Sequence, residues 1–276
     1  MKKILLATTA LVATTGFAAA EMTWSGSANL GVRYSDDGTT RAHNEIDLGM
    51  AATGETDGGI GWKVEMGLDT DQTDSTGTAT GDTGSVALSG DFGTIRVGAV
   101  SSAGTSIGLA DIGFDGIGID DVAELGRNAG GGHDVQWNYA MDDIALMVSF
   151  DTSDDDMAVS AKWSSGSLAI GISQAAVSGG ASATAASIGT SVGGFAVSMM
   201  ASNSSTAGSD SVGMSASMPI DGLGTVTFVT GSNDTDAKSA WGIGFSKALG
   251  GGATLKGGYG SDNGNDVADL GIGFSF

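Results

Sequence analysis

From residue 268 to 276 the even positions read Ala268, Leu270, Ile272, Phe274 and Phe276, and the odd ones Asp269, Gly271, Gly273 and Ser275. A period of two puts the apolar side chains on one face of a strand and the polar or small ones on the other. Residues 21–34 repeat it: Met22, Trp24, Gly26, Ala28, Leu30, Val32 and Tyr34 alternate with Glu21, Thr23, Ser25, Ser27, Asn29, Gly31 and Arg33. Ile46, Leu48 and Met50 follow, then Trp62, Val64, Met66 and Leu68, then Ile95 and Val97. Further on come Val135, Trp137, Tyr139 and Met141, then Ile144, Leu146, Val148 and Phe150, and the pattern runs on to the end. Short connections at 54–59, 90–93, 142–143, 164–167, 193–194, 219–224 and 249–252 alternate with longer ones. About sixteen strands result, the even count expected of a closed single-chain barrel. The register is open between 174 and 202, where Gly, Ala and Ser dominate.

The second face decides the class. Its residues are Gly, Ser, Thr, Asn, Lys, Arg, Asp and Glu, which cannot pack a dry core. Apolar positions facing lipid and polar positions facing a water-filled lumen reconcile the two faces. The pattern therefore predicts an all-β fold, a transmembrane antiparallel β-barrel. Trp24 and Tyr34, at opposite ends of the first strand, suit the two interfacial aromatic girdles.

Residues 1–20 stand outside this pattern. Lys2 and Lys3 precede a short apolar run, and Ala18-Ala19-Ala20 supplies small residues before Glu21. This is the form of a secretory leader, cleaved after export to the periplasm. The expected division is a leader at 1–20 and a single barrel domain at 21–276. Without the leader, 9 basic residues stand against 32 acids, a net charge of −23. A surface this acidic repels nucleic acid and attracts cations. Forty-eight glycines disfavour a helical bundle, one proline disfavours a disordered Pro-rich chain, and the absence of cysteine excludes disulfides.

The segment 101–133 is the longest without alternation. It carries Asp111, Asp115, Asp120, Asp121 and Glu124, with Ile107, Leu109, Ile112, Phe114, Ile117 and Ile119 among them. An acidic loop with its own apolar residues can pack inside a barrel. Its acids would then narrow the pore and face a wall carrying Arg33 and Arg96, with Arg41 and Lys63 near them. Acids on one side and bases on the other set a field across the constriction. In the alternative arrangement the loop is solvated outside and the arginines pair locally with Glu45, Asp47 or Glu65.

Little else in the chain carries chemistry. Gly104-Thr105-Ser106-Ile107-Gly108 and Gly189-Thr190-Ser191-Val192-Gly193 match the nucleophile-elbow spelling. That motif requires a strand–turn–helix and a histidine partner, and the two histidines, His43 and His133, read as loop or lumen residues. The chain does not read as an enzyme and calls for no cofactor. The metal reading the sequence allows is a weak calcium site at Asp120 and Asp121, without the spacing of a calcium-binding loop.

The chain resembles the general, non-specific porins of α-proteobacteria, the Rhodobacter type, over its whole length. The carriers are residues 1–10 with the Ala18-Ala19-Ala20/Glu21 junction, Ser25-Gly26, Gly90-Asp91-Phe92-Gly93-Thr94-Ile95-Arg96-Val97-Gly98, Gly118-Ile119-Asp120-Asp121 and the terminal Phe276. The resemblance implies a sixteen-stranded homotrimer in the outer membrane of a Gram-negative bacterium, among outer-membrane lipid and lipopolysaccharide. Its third external loop, 101–133, would fold into the pore. Ions and small hydrophilic solutes would pass by diffusion. By position, Asp111, Asp115, Asp120, Asp121 and Glu124 would be the loop acids, and Arg33 and Arg96 part of the basic wall. With only four arginines in the chain, the expectation is cation preference. Two other readings are a substrate-selective outer-membrane channel, which would show a row of inward aromatics, and a secreted acidic Gly-rich calcium-binding surface protein.

Overall fold

A computed structural model describes residues 20–35, 38–73, 80–81, 84–127, 132–205, 209–234 and 238–276; of the leader expected at 1–20, residues 1–19 lie outside the described residues. Sixteen antiparallel strands make the wall. They are β1 (Glu21–Tyr34), β2 (Thr40–Glu55), β3 (Gly61–Thr73), β4 (Ser85–Gly90), β5 (Gly93–Val100), β6 (His133–Met141), β7 (Ile144–Asp151) and β8 (Asp156–Ser165). The second half is β9 (Leu168–Ala176), β10 (Ser182–Val192), β11 (Phe195–Ser204), β12 (Ser209–Ile220), β13 (Gly224–Asn233), β14 (Lys238–Gly250), β15 (Ala253–Asp262) and β16 (Asn265–Ser275). A two-residue strand, Thr80–Gly81, pairs with β3 beside them.

Each strand pairs with the next, and β16 returns to β1 from Ser27↔Ser275 to Tyr34↔Ala268. Phe276 extends this closure: its N–H donates to the Gly26 carbonyl at 3.0 Å and its carbonyl accepts from the Gly26 N–H at 2.8 Å. Among the described residues every strand of the ring is paired on both sides, the condition for a sheet to sit in lipid.

Period two holds around the ring. Met22, Trp24, Leu30, Val64, Met66, Ile95, Val97, Ile172, Met199, Val212, Ile243 and Leu270 are exposed on the outer face. Tyr34 and Tyr259 both pair with Ala268, and Trp241 packs edge-on to Tyr259 at 5.9 Å, which gathers aromatics at one end of the barrel. The stretch whose register was open resolves: Ile170↔Ile188, Ile188↔Met199 and Met199↔Met214 form one apolar row.

Short turns fall where the glycine pattern puts them. At 91–92 the chain reverses into Gly93, whose φ is +91° and where a Cβ would lie 2.2 Å from the Asn138 carbonyl oxygen. Only glycine fits there. Two boundaries differ from the sequence reading. β3 runs on to Thr73, past Leu68, the last apolar residue of its outward row, because its backbone pairs with β2 as far as His43↔Thr73. Pro219 lies inside β12, opposite Thr225, where the hairpin closes one residue later at Ile220↔Gly224.

The largest correction concerns the dry core. Residues 101–127 fold inside the barrel and build one, with a 3₁₀ turn at Ala103–Ser106 and a single helical turn at Asp121–Glu124. Ile112, Ile117, Ile119 and Val122 are buried against Val229 and Ala240 of the wall. Ala103 joins Ala158, Ala175 and Ala183, while Ile107 joins Ala185 and Met200. The inward face is small-residued because the loop fills it. A Cβ on Gly213 would lie 2.4 Å from that of Ala123, one on Gly242 2.7 Å from Ile112 Cδ1, and one on Gly271 2.7 Å from the Phe114 ring.

Candidate functional site in the barrel lumen

The loop is tied at its neck, its middle and its tip. At the neck, Ser149 Oγ accepts from Ala103 N–H at 2.7 Å and lies 2.6 Å from His133 Nδ1, so one buried hydroxyl joins both ends of the loop. Gln136 Nε2 donates to the Ser101 carbonyl at 2.9 Å, and Ser173 Oγ to that of Gly104 at 3.2 Å. In the middle, Gly126 N–H donates to Ser211 Oγ and Asn233 Nδ2 to the Val122 carbonyl.

At the tip, Asp269 Oδ2 accepts from the N–H groups of Phe114 (2.9 Å) and Asp115 (3.3 Å). Gly113, at φ +105°, is pressed so close that a Cβ would stand 2.4 Å from this carboxylate. Arg33 Nη1 holds Asp115 at 2.6 Å and Arg33 Nη2 the Gly116 carbonyl at 3.1 Å. His43 Nε2 is 3.2 Å from the same Asp115 oxygen, and its ring meets Phe114 edge-on at 5.4 Å.

These ties decide where each expected residue lies. Of the five loop acids, Asp111 and Asp121 are exposed to the lumen, Asp115 is half-buried against Arg33, and Asp120 and Glu124 are buried. Glu124 is consumed by the loop: Oε1 accepts from Leu109 N–H at 2.6 Å and Oε2 contacts Arg127. Arg127 also reaches the Ile107 carbonyl. Desolvation raises the Asp120 carboxyl to about 7, helped by the charges of Asp111 and Glu124. Burial likewise raises Glu124 and, inside the confined lumen, Asp111. Asp120, Asp121 and Glu124 bring carboxylate oxygens within 4.8 Å of one another. With both oxygens of Glu124 engaged, Asp120 and Asp121 are left as the pair with spare ligand capacity.

The basic wall divides. Arg33 stands in direct contact with a loop acid instead of facing it across water, and Arg41 is its cross-strand neighbour. Lys63 and Arg96 sit farther round the wall, and both reach Glu65, Arg96 Nη1 at 2.7 Å. The two sequence alternatives thus each hold in part: the loop is inside, and Arg96 pairs locally. The wall carries acids beside these bases. Glu45, Asp47 and Asp69 project inward from β2 and β3 with oxygens within 4.8 Å of one another. Asn29 Nδ2 donates to Glu45 at 2.9 Å and Ser27 Oγ to Asp47 at 2.8 Å.

The sequence reading names His43 only as a loop or lumen residue and Glu65 only as a local partner of the arginines, and it misses Asp269 and Ser149 as site residues. Asp269 had the right parity to face inward, but its partners are 155 and 154 residues away. Lys162 and Lys256 also point inward and were readable from alternation alone. Neither elbow-like serine has the required setting. Ser106 ends a 3₁₀ turn and Ser191 lies in β10.

Three variants of the porin of Rhodopseudomonas blastica share this architecture. Two carry a pair of alanine substitutions each and superpose with TM-scores of 0.81 and 0.79; a third, with two introduced tryptophans, gives 0.79. Each is 18% identical and covers 93% of this chain and 100% of its own. No curated protein matches the chain. The model of the Gram-negative porin family matches residues 7–269. With a closed sixteen-stranded ring, a lipid-suited exterior and an inward loop, the chain belongs to the Gram-negative porin family.

Proposed function

We propose that this protein is a passive, cation-preferring diffusion channel of the outer membrane, formed by residues 21–276 after removal of a leader at 1–20. Family and fold support a passive outer-membrane channel. The observation that carries the finer reading is the charge left exposed around the lumen. Asp111 and Asp121 are exposed on the loop, while Arg33 and Arg127 are occupied by Asp115 and Glu124. The wall adds Glu45, Asp47 and Asp69. Rings of fixed carboxylates concentrate cations and disfavour anions in a narrow aqueous path. Loop 101–133 is the constriction, and a homotrimer surrounded by lipid and lipopolysaccharide is the assembly in which it works. Ions and small hydrophilic solutes pass without energy coupling.

The test is conductance across planar bilayers. Stepwise conductance with a reversal potential favouring K⁺ over Cl⁻ is expected. Asp111→Asn with Asp121→Asn lowers that preference; unchanged selectivity places both residues away from the ion path. Absence of stepwise conductance, or passage restricted to one sugar or peptide, rejects the general channel.

A further inference from the structure

We infer that Glu65 is a selectivity-determining residue of this channel, because it masks the positive charge of the open wall. The inference rests on the diffusion-channel reading above. Glu65 projects from β3 between Lys63 on its own strand and Arg96 on β5, and both cations contact it. Its Oε1 also accepts from Ser85 Oγ at 3.0 Å. Arg33 and Arg127 each meet a loop carboxylate, whereas here one carboxylate serves two cations.

The group stays wet. The side chains of Lys63, Arg96 and Glu65 are 42%, 34% and 26% exposed, and all three line one cavity of about 510 Å³ on the inner wall. Their net charge of +1 therefore acts on passing ions instead of being locked in a dry pair. Removing the Glu65 charge makes it +2; removing that of Lys63 makes it 0. A unit charge about 8 Å from the ion path, in water screened by about 0.1 M salt, changes a cation-to-anion permeability ratio about two-fold. The two variants thus move the ratio in opposite directions from wild type.

Reversal potentials in a KCl gradient test this on the full-length protein reconstituted in planar bilayers. Heat-modifiable migration confirms closure of each variant. Glu65→Gln is expected to lower the K⁺/Cl⁻ ratio about two-fold and Lys63→Gln to raise it by a similar factor. Raising ionic strength should shrink both shifts. A Glu65→Gln channel with an unchanged or raised ratio overturns the inference, since the ion pairs would then only brace the wall. If Glu65→Gln does not close, Lys63→Gln decides alone: an unchanged or lowered ratio is equally fatal. A wild-type protein without stepwise conductance sinks the channel reading itself, and this inference with it.

Discussion

Gly213→Ala asks whether the loop and the wall are matched to each other. Gly213 faces inward on β12, directly beneath the helical turn of the loop. An added Cβ would stand 2.4 Å from Ala123 Cβ, 2.6 Å from Leu109 Cδ1 and 3.0 Å from the Thr230 carbonyl oxygen. Non-bonded carbons rest at about 3.5–4.0 Å, so at least about 1 Å must be found. Leu109 can rotate away. Ala123 cannot, since its Cβ is fixed to a turn held by Ser211 and Asn233. The wall strand is paired on both sides and is the stiffer partner. The loop therefore moves into the lumen, at about 1–3 kcal/mol for overpacking. Single-channel conductance should fall, and the transition temperature of the heat-modifiable band should drop. Ala123→Gly added to Gly213→Ala should restore part of both, leaving the Leu109 contact to relax by rotation. A Gly213→Ala channel indistinguishable from wild type in both measurements, or a double variant with no recovery, refutes the matched-surface argument.

Other consequences follow from the polar ties and the buried acids. Asp120, raised to about 7, gains its charge near neutrality, so cation preference should climb between pH 6 and 8. Asp120→Asn should flatten that climb in reversal-potential measurements. Between the ordinary carboxyl range and pH 7 the folded state binds more protons than the unfolded one, so the Asp120 contribution to stability falls as pH rises. Calorimetry in detergent at pH 5 and 8 checks the sign. Asp269→Asn weakens the seat of two loop-tip N–H groups, for about 1–2 kcal/mol, and should raise open-channel current noise and protease cleavage near 113–116. Ser149→Ala strands the Ala103 N–H and a His133 nitrogen at once and should lower the melting temperature of the barrel by several degrees.

Alternation made the wall legible because lipid on one side and the lumen on the other impose a strict period on every strand. Met22 to Tyr34 and Ala268 to Phe276 could be read without ambiguity. The inward glycines of the last strands, Gly242, Gly244, Gly258, Gly260 and Gly271, were equally visible as positions without side chains. Nothing local says what fills the space they leave, since their occupants are Ile112, Ile117, Ile119 and Phe114, well over a hundred residues away. The acids of the loop were recognised as a group but not sorted. Asp111 and Asp121 face water while Asp120 and Glu124 do not, and the division depends on how one helical turn docks on β12 and β13. The charge pairs are legible only as alternatives, for a related reason. Lys63 and Glu65 are close in sequence, but Arg96 reaches them only because β3 and β5 flank β4.

The glycine-faced furrow has a practical corollary for anyone wishing to enlarge the bore. Excising the inserted segment would not simply yield a wider tube. It would bare a strip of main chain with scarcely any side chains to brace it, flooded where it had been dry, along most of one flank of the shell. Widening this conduit therefore calls for bulkier amino acids on that flank together with the deletion, so that the staves stay stiff once their lining has gone.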